Sequence, residues 1–195
     1  MLMSLSKIII SFILTDSYDE KQREICEYGC ELWLYTILST LGLFIIGLIA
    51  KAPIEAIIII SIFYVCQSNG GGFHASTHIK CFLTMACGLG LGISIINFFD
   101  IHSVFYSLWF VPFIILFAFP LCLHSNKQYL QCQSQQLAKK SRITTLVLLL
   151  ISFIFKFLNY DMIYASLYIG VFLSAISRIC GLLIRNTHKI VNHER

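Results

Sequence analysis

Six runs of apolar residues, separated by short polar segments, constrain the fold of this chain more than any other feature. They lie at 32–50, 53–66, 79–99, 103–123, 143–158 and 161–184. The hydrocarbon core of a bilayer is about 30 Å thick, and about 20 apolar residues in a helix cross it. A chain that is 57% hydrophobic and 12% charged cannot cover this much apolar surface as a soluble domain. The sequence predicts an all-α, polytopic helical membrane protein of about six spans, a single domain over residues 1–195.

The first 30 residues predict helices that lie at the membrane surface. Within residues 1–14, polar and apolar side chains fall on opposite sides at helical spacing, which is typical of an interfacial amphipathic helix. Ser17 and Glu20 then fit a capping box, so we expect a second helix to begin there and to continue into the first span. The short runs 53–66 and 143–158 leave open whether each crosses the bilayer fully.

Basic residues predict the orientation of the chain in the membrane. The segment 124–142, which we interpret as a loop, carries four of them without an acidic residue, and the C-terminal tail is also basic. Because Lys and Arg are enriched in cytoplasmic loops, both segments should be cytoplasmic. Alternation of the spans then places both termini and residues 67–80 on the cytoplasmic side. The eight cysteines lie mostly in or beside apolar runs, which favours packing over a disulfide framework.

The polar segment 67–81, QSNGGGFHASTHIKC, concentrates the reactive residue types of this chain. A cysteine becomes a nucleophile as its thiolate, which a nearby histidine or a helix N-terminus favours. Cys81 is therefore the candidate nucleophile. His78, three residues earlier, would be its direct neighbour on a helix and is the better base on geometry alone.

His74 reaches Cys81 only if the helix is interrupted. Seven residues of regular helix separate the two by about 10 Å, which is too far for a hydrogen bond. The run Gly70–Gly72 offers the backbone freedom for such an interruption. Two other interpretations stay open at this point: His74, His78 and Cys81 as three metal ligands, or two solvated histidines beside a packing cysteine.

The pattern Gly71-Gly72-Phe73-His74-Ala75, with Cys81 seven residues after the histidine, resembles the accessory gene regulator B (AgrB) family. The length of the chain and the basic segment after Pro120 are similar as well. The resemblance implies a membrane cysteine endopeptidase of quorum-sensing peptide maturation, in a bacterial cell membrane. It implies that His74 is the base and Cys81 the nucleophile, and it implies no cofactor and no metal.

One position departs from the family pattern. Members usually carry an Arg seven residues before the histidine, where this chain has Gln67. Charged residues inside membrane spans are costly and tend to face the interior of a helix bundle. We therefore expect Arg178, in the last span, to supply the missing charge. The predicted substrate-binding residues are Gln67, Gly71, Gly72 and Arg178.

The resemblance also implies the substrate and partners. The substrate would be a precursor peptide whose C-terminal tail is released through a Cys81 thioester, followed by cyclisation to a thiolactone or lactone. The lipid bilayer is an expected partner and nucleic acid is not. Gly88 and Gly92 form a GxxxG pattern, which predicts a close helix contact and is compatible with a homodimer. The alternatives are a small transporter, or a peptide-binding scaffold, that uses His74, His78 and Cys81 as a polar or metal path.

Overall fold

The computed structural model describes residues 2–13, 19–72, 77–98, 110–120 and 131–193, and all of the elements described there are helices. They are α1 Leu2–Ile13, α2 Glu20–Ile49, α3 Pro53–Gly70, α4 His78–Phe98, α5 Val111–Ala118, α6 Gln131–Phe157 and α7 Asp161–His193. The predicted all-α class is confirmed. The proposed cap at Ser17 and the segment 124–130 lie outside the described residues.

Among the described residues, four helices are long and apolar enough to cross a membrane: Glu20–Ile49, Pro53–Gly70, His78–Phe98 and Asp161–Leu183. Of the run 103–123, the structure describes residues 110–120, which contain α5. The count of about six spans therefore stays a prediction. The run 53–66 continues as helix to Gly70, and the resulting 18 residues correspond to about 27 Å.

The polar start of α6 is helical where the sequence predicts a loop. Residues 131–142 belong to the basic segment that we interpreted as a loop, but α6 already begins at Gln131. The first turns of this helix carry glutamines and lysines, and its second half is apolar. In α6, about three turns of polar helix therefore precede the apolar stretch 143–158.

The chain divides into two compact units, residues 1–45 and 46–195. The first contains α1 and most of α2, with Ser6, Ile10 and Leu43 buried. The apolar window of α2 is only 11% buried, which is expected of a span whose side chains face lipid. The helix at Leu2–Ile13 agrees with the prediction of a short N-terminal helix.

The second unit is built around α7. This helix packs most extensively against α3 and also contacts α4, α5 and α6. Half of its apolar window is buried. The buried cluster between these helices consists of Cys66, Phe113, Leu116, Leu148, Val171 and Ala175. The packing of α7 on α3 therefore holds the second unit together.

The helices of the second unit alternate in direction. Gly170 of α7 lies against Ile62 of α3, and one to two turns further along both helices Gln67 is bonded to Ser177, so α3 and α7 are parallel. Gly88 of α4 contacts Leu173, and Gly92, one turn later, contacts the earlier Ile169, so α4 is antiparallel to α7. The last turn of α3 and the first turn of α4 thus lie at the same end of the bundle, which we call the Gly70 end.

The GxxxG pattern in α4 is used within the chain. A Cβ atom at Gly92 would lie 2.5 Å from Cγ2 of Ile169, and a Cβ at Gly88 would lie 3.2 Å from Cδ2 of Leu173. Small residues allow this close approach, which drives helix association where lipid tails are as apolar as the side chains. The predicted close contact exists, and its partner is α7 of the same chain. The pattern therefore gives no support to a homodimer.

Gly90, in the same helix, provides a matched control for Gly92. We expect Gly92→Ala to destabilise the second unit by about 1–3 kcal/mol, because Ile169 or a helix backbone must shift. A Cβ atom at Gly90 would meet no atom within 4 Å, so Gly90→Ala should be neutral or slightly stabilising. Titration of detergent-solubilised protein with SDS, followed by circular dichroism, measures both. Equal stabilities of the two variants would contradict the close contact.

Candidate functional site

Three consecutive glycines stand at the end of α3: Gly70 and Gly72 are in tight contacts, and Gly71 has a positive φ. A Cβ at Gly70 would overlap the Arg178 guanidinium and would lie 2.8 Å from the carbonyl oxygen of Pro120. Gly71 has φ 68° and ψ −173°, a backbone conformation that is essentially confined to glycine. A Cβ at Gly72 would overlap the carboxamide of Gln67. The glycine run is thus fixed by packing as well as by backbone freedom.

Arg178 lies at the centre of the Gly70 end and is only 1% exposed. Its Nη2 donates to the carbonyl oxygen of Cys66 at 3.1 Å. Four oxygens lie within hydrogen-bond distance of its Nη1 and share the two hydrogens of that nitrogen: Leu116 O at 3.3 Å, Phe119 O at 3.1 Å, Pro120 O at 3.2 Å and Ser141 Oγ at 3.1 Å. One side chain of α7 therefore joins the ends of α3 and α5 to α6. We call this arrangement the Arg178 clasp.

The partners of the clasp explain how a cation is held in a membrane helix. The last carbonyl groups of a helix lack intrahelical donors, and they carry the negative end of the helix dipole. Leu116, Phe119 and Pro120 provide such carbonyls at the end of α5. A buried charge is costly unless polar groups replace its water. The Nη1 group of Arg178 and the carbonyl groups at the end of α5 therefore stabilise one another.

Two further hydrogen bonds hold the last turn of α3. Gln67 donates from Nε2 to Ser177 Oγ on α7 at 2.6 Å. Asn69 donates from Nδ2 to Thr144 Oγ1 on α6 at 3.0 Å. The polar residues that continue α3 beyond its apolar run thus have partners on two neighbouring helices. The point at which the chain leaves α3 is fixed by α6 and α7.

The first turn of α4 presents Cys81. Thr77 caps the helix, because its Oγ1 accepts a hydrogen bond from the backbone N–H of Lys80 at 3.3 Å. The N–H of Cys81 donates to the carbonyl oxygen of Thr77 at 3.1 Å. Cys81 is a free, partly exposed cysteine, and His78, the first residue of the helix, is exposed. Sulfur and helix N-terminus therefore lie together at the Gly70 end.

The structure brings most of the predicted site residues to this end. Gln67 lies in the last turn of α3, Gly71 and Gly72 follow that turn, and Arg178 packs against it. Cys81 lies in the first turn of the next helix. His74 lies outside the described residues, so its contact with Cys81 stays a prediction. Among the residues that the structure does describe, no group of three His, Cys, Asp or Glu side chains is arranged to hold a metal.

Sequence reasoning missed three polar partners of the site: Ser141, Thr144 and Ser177. Ser141 and Thr144 are three residues apart and so share a face of α6. These two polar residues lie where the sequence of α6 changes from polar to apolar. A polar pair on one face at that point could have been used to predict a buried contact. Ser177, next to Arg178 in the last span, carries a similar signal.

Comparison with known proteins decides the family. The family model of Accessory gene regulator B (AgrB) matches residues 5–178. The chain belongs to the AgrB family. The resemblance seen in the glycine, histidine and cysteine pattern is thus confirmed, and the match contains the predicted site residues, from Gln67 to Arg178.

Two curated AgrB relatives come from Clostridium perfringens. "Putative AgrB-like protein" of strain SM101 / Type A is 32% identical over 108 residues, which are 55% of this chain and 48% of that protein. "Putative AgrB-like protein 2" of strain 13 / Type A is 30% identical over 108 residues, with the same coverage of both chains. The chain thus spans about half the length of the curated relatives that it matches. No solved structure matches this AgrB chain.

The Thr77 cap can be tested by amide exchange. Thr77→Ala should destabilise the first turn of α4 by about 1 kcal/mol, which corresponds to roughly fivefold faster exchange if opening is local. Thr77→Ser keeps the hydroxyl and is the matched control. Hydrogen–deuterium exchange with mass spectrometry, read on the peptide that contains Cys81, measures the difference. Identical exchange in Thr77→Ala and wild type would show that the cap does not order this turn.

Proposed function

We propose that this AgrB-family chain is a membrane-embedded cysteine endopeptidase that processes a quorum-sensing precursor peptide. The observation that carries the proposal is the position of Cys81. It lies partly exposed on the first turn of α4, at the same end of the bundle as the glycine run, in a chain that matches AgrB over residues 5–178. A thiol beside a helix N-terminus and near a histidine is suited to nucleophilic attack.

In the first step, His74 removes the proton from Cys81 Sγ, and the thiolate attacks the carbonyl carbon of the scissile peptide bond. A C–S bond forms as the C–N bond breaks, and the imidazolium of His74 gives its proton to the leaving amine. The C-terminal tail of the precursor departs with this new amino group. The remaining peptide is held as a thioester on Cys81.

In the second step, a cysteine or serine side chain within the bound peptide attacks the thioester carbonyl. The attacking group loses its proton to His74, a new thioester or ester closes the ring, and Cys81 leaves as thiolate. Exchange of one thioester for another is nearly balanced in free energy. Departure of the tail and exclusion of water should therefore determine the yield.

The charge distribution supports a cytoplasmic position of this site. The exposed basic residues at the Gly70 end are Lys80, Lys139, Lys140 and Arg142. Among the described residues of the second unit, the opposite end carries two basic and two acidic residues, Lys51, Lys156, Glu55 and Asp161. The excess of Lys and Arg therefore lies at the Gly70 end, as expected for the cytoplasmic side. We accordingly propose that both termini and the site face the cytoplasm of a bacterial cell membrane.

The test uses purified protein in lipid vesicles and a candidate precursor peptide from the same genome. We expect wild-type protein to yield a product that lacks the tail, and Cys81→Ala and His74→Ala to yield none. The matched control is His78→Ala, which removes the other histidine near Cys81 and should retain cleavage. Mass spectrometry identifies the released tail, and in the wild type it identifies the cyclic product as well.

Other outcomes distinguish the alternatives. Cleavage that survives Cys81→Ala would exclude this cysteine as the nucleophile. Loss of cleavage in His78→Ala with retention in His74→Ala would assign the base to the helical neighbour. Binding of precursor without cleavage by wild-type protein, unchanged in Cys81→Ser, would favour a peptide-binding scaffold over a peptidase.

A further inference from the structure

We propose that the outward face of α6 is a binding site for an anionic phospholipid, whose headgroup phosphate contacts Lys139, Lys140 and Arg142. This inference goes beyond the proposed peptidase activity and does not depend on it. Three features of the second unit support it: the fixed orientation of α6, the basic charge at its polar end, and the apolar stripe that continues from that charge.

The orientation of α6 is fixed by its inward face. Buried side chains recur on that face every three or four positions, at Ser141, Thr145, Leu148 and Ser152. Ser141 Oγ lies 3.1 Å from Nη1 of Arg178, which holds this face of α6 against α7. Residues two positions apart on a helix point in nearly opposite directions. Lys139 therefore points away from the bundle, and it is exposed.

The basic charge on the outward face has no acidic counterpart nearby. Lys139, Lys140 and Arg142 are exposed and lie within about 4.5 Å along the helix axis. No Asp or Glu occurs in the sequence between Asp100 and Asp161. Neither lysine forms an ion pair or a hydrogen bond with the residues that the structure describes. Charges of one sign repel each other, so an anion from outside the chain would stabilise this turn.

Arg142 is held in a position that suits a phosphate group. Its Cζ lies over the ring of Phe117 on α5, 5.7 Å from the ring centre, and that ring is itself exposed. A guanidinium stacked on an aromatic face can still donate two parallel hydrogen bonds to a phosphate. The ring limits the conformations of the arginine side chain, so less entropy is lost when an anion binds. The guanidinium thus lies ready at the outer seam between α5 and α6.

The outward face becomes apolar directly after Arg142. Its exposed side chains are Ile143, Leu146, Val147, Leu150, Phe153, Ile154 and Phe157. From Ile143 to Phe157 this stripe is about 21 Å long, which exceeds the roughly 15 Å of hydrocarbon in one leaflet. The basic residues therefore stand at one end of a surface on which acyl chains pack. An occupant that matches both parts has an anionic head joined to apolar chains.

This continuity favours a lipid over an acidic peptide. A peptide tail in water would match the basic charge alone and would leave the stripe unused. Each Lys or Arg near an anionic membrane surface strengthens binding by about fivefold. At the same end of the bundle, the first turn of α4 carries one basic residue, Lys80. With three basic residues in one turn, α6 should bind an anionic headgroup about 25-fold more tightly than α4 does.

The first test measures lipid binding to detergent-solubilised protein by native mass spectrometry. The probes are dioleoyl phosphatidylglycerol, which is anionic, and dioleoyl phosphatidylcholine, which has the same chains and no net charge. We expect wild-type protein to prefer phosphatidylglycerol by about 25-fold or more. Lys139→Gln should weaken phosphatidylglycerol binding by about fivefold, and Lys139→Gln/Lys140→Gln by about 25-fold. Binding of phosphatidylcholine should not change.

The matched control is Lys51→Gln. It makes the same chemical change at an exposed lysine, at the opposite end of the second unit. Because Lys51 is a single basic residue beside Glu55, we expect this variant to bind both lipids as wild-type protein does. A loss of phosphatidylglycerol binding equal to that of Lys139→Gln would show that only the net charge of the protein matters, and it would overturn the proposal.

A second test locates the lipid in proteoliposomes. Phosphatidylglycerol or phosphatidylcholine with a diazirine on one acyl chain is activated by light, and labelled tryptic peptides are identified by mass spectrometry. Trypsin cleaves after Arg142 and Lys156, so residues 143–156 form one peptide. We expect this peptide to be labelled more by the phosphatidylglycerol probe, and this excess should disappear in Lys139→Gln/Lys140→Gln. The peptide that begins at Cys81 should be labelled about equally by both probes.

The other outcomes decide against a lipid site. Equal binding of both lipids by wild-type protein would overturn the proposal, and so would equal labelling of residues 143–156 by both probes. If a precursor peptide with an acidic tail binds wild-type protein but not Lys139→Gln/Lys140→Gln, while neither lipid is preferred, the basic residues bind the peptide instead.

A change of salt tests the same charge without any variant, so it remains decisive if the double variant does not insert. Raising the ionic strength from about 0.1 M to about 1 M shortens the Debye length from about 10 Å to about 3 Å. The labelling preference for phosphatidylglycerol at residues 143–156 should then fall several-fold. An undiminished preference at high salt would contradict recognition by the basic residues.

Discussion

The second unit depends on a buried guanidinium that bonds to the ends of other helices. In a bilayer, a helix that ends below the surface leaves carbonyl groups without donors, because lipid provides none. Arg178 brings donors from α7 to the ends of α3 and α5 and to Ser141 of α6. The free-energy cost of burying its charge is offset because the carbonyl groups at the end of α5 gain a donor. Removal of either side would leave the other unsatisfied, so the arginine and the helix ends are mutually dependent.

Glycine residues allow the helices of the second unit to approach one another as closely as this arrangement requires. Gly170 allows α7 to lie against Ile62 of α3, and Gly92 allows α4 to lie against Ile169 of α7. Gly70 plays the same part for a side chain, since it admits the guanidinium beside the α3 backbone. Where lipid is as apolar as the protein interior, shape and hydrogen bonding determine which helices associate. In this chain, the positions of the glycines therefore determine where the helices approach each other closely.

The sequence predicted the elements that depend on local pattern. Apolar runs indicated the helical membrane class, and the polar segment 67–81 marked the α3–α4 junction, with Cys81 near the start of the next helix. The end of α3 was not predictable in the same way. The helix continues through Gln67 and Asn69 because their side chains bond to Ser177 and Thr144. The spacing of apolar residues in α3 does not indicate partners that are distant in the sequence.

The charge at Arg178 was recognisable from sequence, but its role was not. A cation inside a span indicates an interior position, whereas the choice between substrate and structure depends on acceptors elsewhere in the chain. Apart from Ser141 Oγ, those acceptors are carbonyl groups, which every residue possesses and which no sequence pattern distinguishes. The three glycines pose the same difficulty: composition predicted flexibility, while the structure shows two tight contacts and one positive φ. The position of His74 relative to Cys81 stays a prediction.

The sequence separation of the clasp has a consequence for biosynthesis. Cys66 and Arg178 are 112 positions apart, and chains are made from the N-terminus at about 5–20 residues per second. The ends of α3 and α5 are therefore synthesised several seconds before their donor exists. During that interval the nascent chain already carries Cys81, yet the α3 exit lacks its anchor. The Arg178 clasp can therefore form only after α7 has been synthesised.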